Sequence, residues 1–233
     1  MLLYYITDRT GFSGSEAEQR QAVIRRIAEA ARADVDYIQL REKDLAAREL
    51  ERLAREAVAA VRENSSTTRL LINGRTDVAL AVDADGVHLP GGEIAPSEVR
   101  VVWMKCSDRP PVIAVSAHSI KEVRSAESHG ADFAVLAPIF EKVRISAKGI
   151  GIQALYEACG GVAAPPNVEG PEPIQFPVLA LGGVNLENAG ACLNAGAAGI
   201  AGIRLFQTGS VSDVVRRLRD LQSAAPHSSH PLG

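Results

Sequence analysis

Four times along this chain an amphipathic segment ends in small residues and an apolar run begins almost at once. Asp83-Ala84-Asp85-Gly86-Val87-His88-Leu89 matches Gly130-Ala131-Asp132-Phe133-Ala134-Val135-Leu136. Ala33-Asp34-Val35-Asp36-Tyr37-Ile38 and Gly196-Ala197-Ala198-Gly199-Ile200-Ala201 follow the same design more loosely. Short helix-to-strand links that recur every few dozen residues mean βα units, with parallel strands and right-handed crossovers. The remaining apolar runs complete eight strands: 2–6, 37–40, 69–72, 86–89, 112–115, 133–137, 178–181 and 199–203. Helical spacing of apolar residues predicts eight helical segments, at 15–33, 45–63, 77–82, 95–101, 119–129, 151–159, 185–195 and 212–221. The expected fold is α/β, a single (β/α)8 TIM barrel over residues 1–223, with 224–233 a disordered tail. Ser119 is a natural cap for the fifth helix. Trp103 to Pro111 reads as irregular surface chain, and the Gly- and Pro-rich stretch 160–177 as an enlarged connection on the face away from the strand ends.

Composition narrows the function classes. At 233 residues and 46% apolar content the chain can bury one sizeable core. A net charge of −3, with neither sign blocked, argues against a nucleic-acid or anionic-membrane surface. Cys106, Cys159 and Cys192 form no close-spaced ligand pair, so a disulfide frame or zinc site is not expected. No stretch is long and apolar enough to span a membrane, and the expected location is the cytoplasm.

A barrel keeps its chemistry at the C-terminal ends of its strands. Gln39, Arg41 and Lys43 stand at the second strand end, Asn73 at the third, His88 in the fourth and His118 after the fifth. His118 lies in a polar turn where an imidazole exchanges protons near neutral pH; it is also a neighbour of the helix cap. His88 sits between Val87 and Leu89, either facing the barrel interior or satisfied within the core. Arg41 and Lys43 can grip an anion, or pair with Glu42 and Asp44 in a solvated loop. After strands seven and eight come Gly182-Gly183 and Gly202, with Arg204 directly beyond. Glycine turns there are a phosphate cradle, and Arg204 reads as a phosphate partner or one half of a buried ion pair. Metal evidence is thin: Glu93 is the candidate, with Asp8, Glu42 and Asp44 as further carboxylates. The segment 141–148, polar and cationic, follows the sixth strand as a candidate lid.

In this order and spacing, Tyr5-Ile6-Thr7-Asp8, Gln39-Leu40-Arg41-Glu42-Lys43, Ile72-Asn73, Gly86-Val87-His88-Leu89, Val115-Ser116-Ala117-His118, Pro138-Ile139-Phe140 and Gly182-Gly183 with Gly199-Ile200-Ala201 resemble the thiamin phosphate synthase and TenI superfamily. The resemblance implies a (β/α)8 barrel, often a homodimer, that binds a small phosphorylated thiazole at the glycine turns. Its synthase branch joins that thiazole phosphate to hydroxymethylpyrimidine pyrophosphate with Mg2+. Its TenI-like branch isomerises a thiazole carboxylate phosphate by proton transfer, needs no cofactor, and uses a histidine that His118 matches. The synthase pattern has Asn-Asp after the third strand where this chain has Asn73-Gly74, and a Thr-x-Thr-Lys clamp where it has Glu141 to Ser146. Arg204 replaces a serine, and Glu93 stands at the second acid. Gln39 and Lys43 keep the synthase form. The sequence therefore leads to a TenI-like tautomerase, with thiamin phosphate synthase as the alternative and a non-catalytic thiazole or thiamin phosphate binder as the third possibility.

Overall fold

A computed structural model describes residues 1–141, 149–161 and 176–224. Eight parallel strands close into a barrel in chain order, with β8 pairing β1. They are β1 (Leu2–Ile6), β2 (Tyr37–Leu40), β3 (Arg69–Asn73), β4 (Gly86–Leu89), β5 (Val112–Ala117), β6 (Phe133–Leu136), β7 (Val178–Ala180) and β8 (Gly199–Gly202). The helices are α1 (Glu16–Arg32), α2 (Ala47–Asn64), α3 (Thr76–Ala81), α4 (Pro96–Cys106), α5 (Ile120–Ser128), α6 (Gly151–Ala158), α7 (Ala189–Asn194), α8 (Arg204–Gln207) and α9 (Val211–Ala224). The expected (β/α)8 barrel is the fold. The candidate lid, apart from Glu141, most of the 160–177 connection and the tail beyond Ala224 lie outside the described residues.

The repeated junction has a physical basis. Asp34 and Asp83 take φ of 57°, and Gly130 and Gly196 take 77° and 92°, so each helix ends on a left-handed residue. The amide after it reaches back to the helix: Val35 to Ala30, Ala84 to Ala79, Ala131 to Ala126, Ala197 to Cys192. One residue further, the aspartate ties the incoming strand to its neighbour in the sheet. Asp36 accepts from the Leu3 amide at 2.7 Å, Asp85 from Leu70 at 2.9 Å and Asp132 from Ile113 at 2.7 Å. Each carboxylate caps the open N-terminal end of the preceding strand, so the three-residue link both ends a helix and sets the register of a strand.

Two cores follow. Outward strand residues meet the apolar stripes of the helices in one large cluster. Inward residues Tyr4, Ile6, Leu71, Ala114, Phe133, Val135, Leu179 and Ala201 fill the barrel itself. Tyr4 stacks edge-on against Phe133 and Tyr37, with ring centroids 5.5 and 6.1 Å away.

Two expectations are corrected. Helix α4 runs on to Cys106, and Trp103 is 3% exposed inside it with its indole donating to the Arg109 carbonyl, so irregular chain begins only at Ser107. Arg204 to Gln207 is a further short helix where the sequence suggested a turn.

Candidate active site

Side chains alternate along a strand, so the inward parity continues past the strand ends to the mouth. Extending Leu2, Tyr4 and Ile6 through the register pairs puts Gln39, Asn73, His88, Ser116 and His118 on that parity. Gln39 donates to Asn73 across 3.0 Å. Gln39 is 1% exposed and Asn73 half-buried, so the pair forms the floor of the mouth.

His88 is 3% exposed. Its Nδ1 lies 3.0 Å from the Tyr4 hydroxyl and its Nε2 lies 2.7 Å from Ser116 Oγ. Burial, and secondarily the Arg41 charge, lower its pKa to about 3, which keeps it neutral. Both readings of His88 therefore hold together: it faces the interior and is a satisfied core histidine.

His118 is different. It is exposed; its backbone amide donates to Glu122 at 2.8 Å, and Nδ1 sits 2.7 Å from the Ala137 carbonyl. Ser119 caps α5, accepting from the Glu122 amide, and Glu122 returns the contact to Ser119 and to His118. A carbonyl only accepts, so Nδ1 carries a proton, and in the neutral form of the ring Nε2 holds the lone pair.

On the other side of the mouth a cavity of about 720 Å³ is lined by Asp8, Gly182, Gly183, Gly202, Arg204 and Arg217, among others. Gly182 and Gly183 both have positive φ, 94° and 70°, and a Cβ on Gly183 would lie 2.7 Å from Phe140 Cβ. Only glycine fits that turn. The amides of Gly183, Val184, Arg204 and Leu205 donate no hydrogen bond to the described residues. The cradle is a pair of turns and not a helix terminus, since α7 begins at Ala189 and α8 is four residues long. Arg204 is exposed and has no ion-pair partner among the described residues, so it is not half of a buried ion pair.

Glu42 and Asp44 do not pair with Arg41 and Lys43. Arg9, 4% exposed, takes both: it reaches Glu42 at 3.2 Å and grips Asp44 through two bonds of 2.6 and 2.7 Å. Glu42 also accepts from Thr7 Oγ1 at 2.6 Å and from the Arg9 amide. Burial raises the Glu42 pKa against the pull of these donors, while the Arg9 bond lowers that of Asp44. Glu93 is exposed in the β4–α4 loop, on a separate cleft with Pro90, Glu122 and His129. Among the described residues no three His, Cys, Asp or Glu side chains gather as a metal site. Glu42 and Asp44 are taken by Arg9, and Asp8 and Glu93 line separate clefts, so the described carboxylates do not converge on one point; magnesium is commonly held by one or two carboxylates with waters and substrate phosphates. Asp8, one of the further carboxylates considered for a metal, lines the cavity with Arg217. Arg9, Ser116 and Tyr4 were not singled out by the sequence.

A family model described as thiamine monophosphate synthase matches residues 3–206. The chain belongs to the thiamine monophosphate synthase family. "Putative thiamine-phosphate synthase 2" of Aquifex aeolicus is 38% identical over 205 residues, 88% of this chain and 96% of that protein. The thiamine-phosphate synthase of Caldanaerobacter subterraneus subsp. tengcongensis is 31% identical over 223 residues, covering 93% of each. Among solved structures, a thiamine phosphate pyrophosphorylase from Pyrococcus furiosus superposes with a TM-score of 0.73 at 28% identity, over 95% of both chains. Among the described residues of this family member, no helix is long and apolar enough to cross a membrane.

Proposed function

We propose that this enzyme of thiamin biosynthesis seats a thiazole phosphate on the Gly182–Gly183 and Gly202–Arg204 turns and moves a proton on its ring with His118, as a thiazole tautomerase. One observation carries the reading. The Ala137 carbonyl holds the His118 proton on Nδ1, which leaves Nε2 as an exposed base on the same strand face as the mouth floor. A ring tethered by its phosphate meets that base as an intramolecular partner, and the transfer requires no metal. Arg41, Lys43 and Arg204 supply the positive charge for the anionic groups of the ligand.

Condensation of thiazole phosphate with hydroxymethylpyrimidine pyrophosphate is the second reading, and the names of the relatives favour it over the tautomerase. Gln39 and Lys43, in the synthase form, also support it. Against it stand Gly74 in the place of the acid, and Glu141 where the clamp begins. Ionising a pyrophosphate from carbon needs the leaving charge neutralised, and losing those groups costs several powers of ten in rate.

The deciding experiment incubates the protein with thiazole phosphate, hydroxymethylpyrimidine pyrophosphate and magnesium, and in parallel follows proton exchange on the thiazole carboxylate phosphate. The tautomerase reading expects exchange that His118→Asn slows by roughly 10²- to 10⁴-fold with ligand affinity kept. Rapid formation of thiamin phosphate would overturn it in favour of the synthase. Binding with neither reaction would leave a silent binder.

A further inference from the structure

The buried chain Tyr4–His88–Ser116 lies beneath the mouth and is not used by the proton transfer just described. Its proton arrangement is determined by counting donors and acceptors. His88 is neutral, so one ring nitrogen donates and the other accepts. Suppose Nδ1 carried the proton and donated to Tyr4. The Tyr4 hydroxyl hydrogen would then need an acceptor of its own. Tyr4 is 0% exposed, walled by Tyr37 and Phe133, and its hydroxyl has His88 Nδ1 as its one hydrogen-bond partner among the described residues. That tautomer strands a buried donor.

The other tautomer satisfies the Tyr4 hydroxyl and both ring nitrogens of His88. Tyr4 donates to Nδ1, and Nε2–H donates to Ser116 Oγ over 2.7 Å. Ser116 then receives one hydrogen and must send its own elsewhere. No described residue accepts from its hydroxyl beyond the His88 contact, and Ser116 is half-buried, two residues before His118 on the same strand face.

We propose that Tyr4 and His88 are positioning residues that lock the Ser116 hydroxyl as a hydrogen-bond donor toward the mouth, so that the site selects a ligand presenting an acceptor there, such as a ring nitrogen or a carboxylate oxygen. An apolar wall on one side and a fixed tautomer on the other turn an ordinarily ambivalent serine into a one-way donor. The selection of such a ligand rests on the thiazole phosphate reading; the tautomer does not.

The test is long-range 1H–15N correlation on histidine-labelled protein without ligand, with the His88 signals assigned by their loss in His88→Gln. The expected result is the Nε2–H tautomer in the wild type, unchanged from about pH 5 to 8, since a depressed imidazole stays neutral there. An Nδ1–H tautomer, or a titrating ring, would overturn the proposal whatever the enzyme's reaction. Tyr4→Phe removes the donor that holds Nδ1 unprotonated, so His88 should become a mixture of the two tautomers and thiazole phosphate binding should weaken by about 3- to 10-fold. In a Ser116→Ala background the same Tyr4→Phe change should leave affinity where Ser116→Ala put it. Additive losses, with the tautomer unmoved by Tyr4→Phe, would mean that Tyr4 only packs. If Tyr4→Phe does not fold, the wild-type tautomer alone decides.

Discussion

Replacing Arg9 by methionine tests how the β1 and β2 ends are held together. Arg9 and Glu42 are side chains of 5% and 2% exposure joined at 3.2 Å, whereas Asp44, the other partner, is 60% exposed. Breaking the Asp44 contact alone should cost no more than about 1 kcal/mol. Breaking the Glu42 contact leaves a buried carboxylate with only the Thr7 hydroxyl and the Arg9 amide as donors, a loss of about 3–5 kcal/mol. For a chain of this size that is a fall in Tm of roughly 6–20 °C, read by calorimetry at neutral pH. The pH dependence has a definite sign. Burial already raises the Glu42 pKa, and removing the guanidinium removes donors and a charge that lower it, so in the variant it climbs further. A carboxyl whose folded pKa lies above its unfolded value contributes stability below the unfolded pKa and loses it as pH rises through the folded one. The variant's deficit should therefore be smaller near about pH 4.5 than at about pH 7, and adding Glu42→Gln should recover part of it at neutral pH. A loss under about 1 kcal/mol at neutral pH, or a deficit that does not change with pH, would refute the buried-pair argument.

Two further outcomes concern the cradle. Arg204→Ala should weaken thiazole phosphate binding by about tenfold while leaving Tm nearly unchanged, because the side chain is exposed and has no ion-pair partner among the described residues; calorimetric titration with unaltered affinity would remove it as an anchor. Gly183→Ala must hold a side chain at φ 70° and push on Phe140 from 2.7 Å, so it should cost about 1–2 kcal/mol from the backbone alone, with ligand binding lost as the turn shifts. Wild-type stability and affinity in that variant would mean the turn is not the phosphate seat.

The barrel was legible because its junctions are written in consecutive residues. A left-handed cap, a small residue and an aspartate all act within three positions of each other, and the aspartate's partner is the adjacent strand that the topology supplies. Helix α4 was cut short because its outer face breaks the amphipathic pattern: Val101, Val102 and Met104 are 58%, 48% and 46% exposed, while the buried Trp103 sits among them. Helix α8, at four residues, is shorter than any window in which a helical period can be seen.

The site was legible in its positions and not in its pairings. Strand-end parity follows from alternation, which is local, so Gln39, Asn73, His88 and His118 could be placed from the sequence. Partner choice is tertiary. Arg41 and Lys43 pair with neither Glu42 nor Asp44, and Arg9, in the short 3-10 helix just after β1, holds both instead. That exchange has an electrostatic consequence. With Glu42 and Asp44 neutralised elsewhere, Arg41, Lys43, Arg204 and Arg217 have no ion-pair partner among the described residues. A chain whose net charge is −3 thus keeps unpaired cations at the end of the barrel where its glycine turns leave amides unbonded. Positive charge and free amides at one mouth are what a phosphorylated, carboxylate-bearing ligand requires, and two of the neighbouring acidic residues, Glu42 and Asp44, are withdrawn by a single buried arginine.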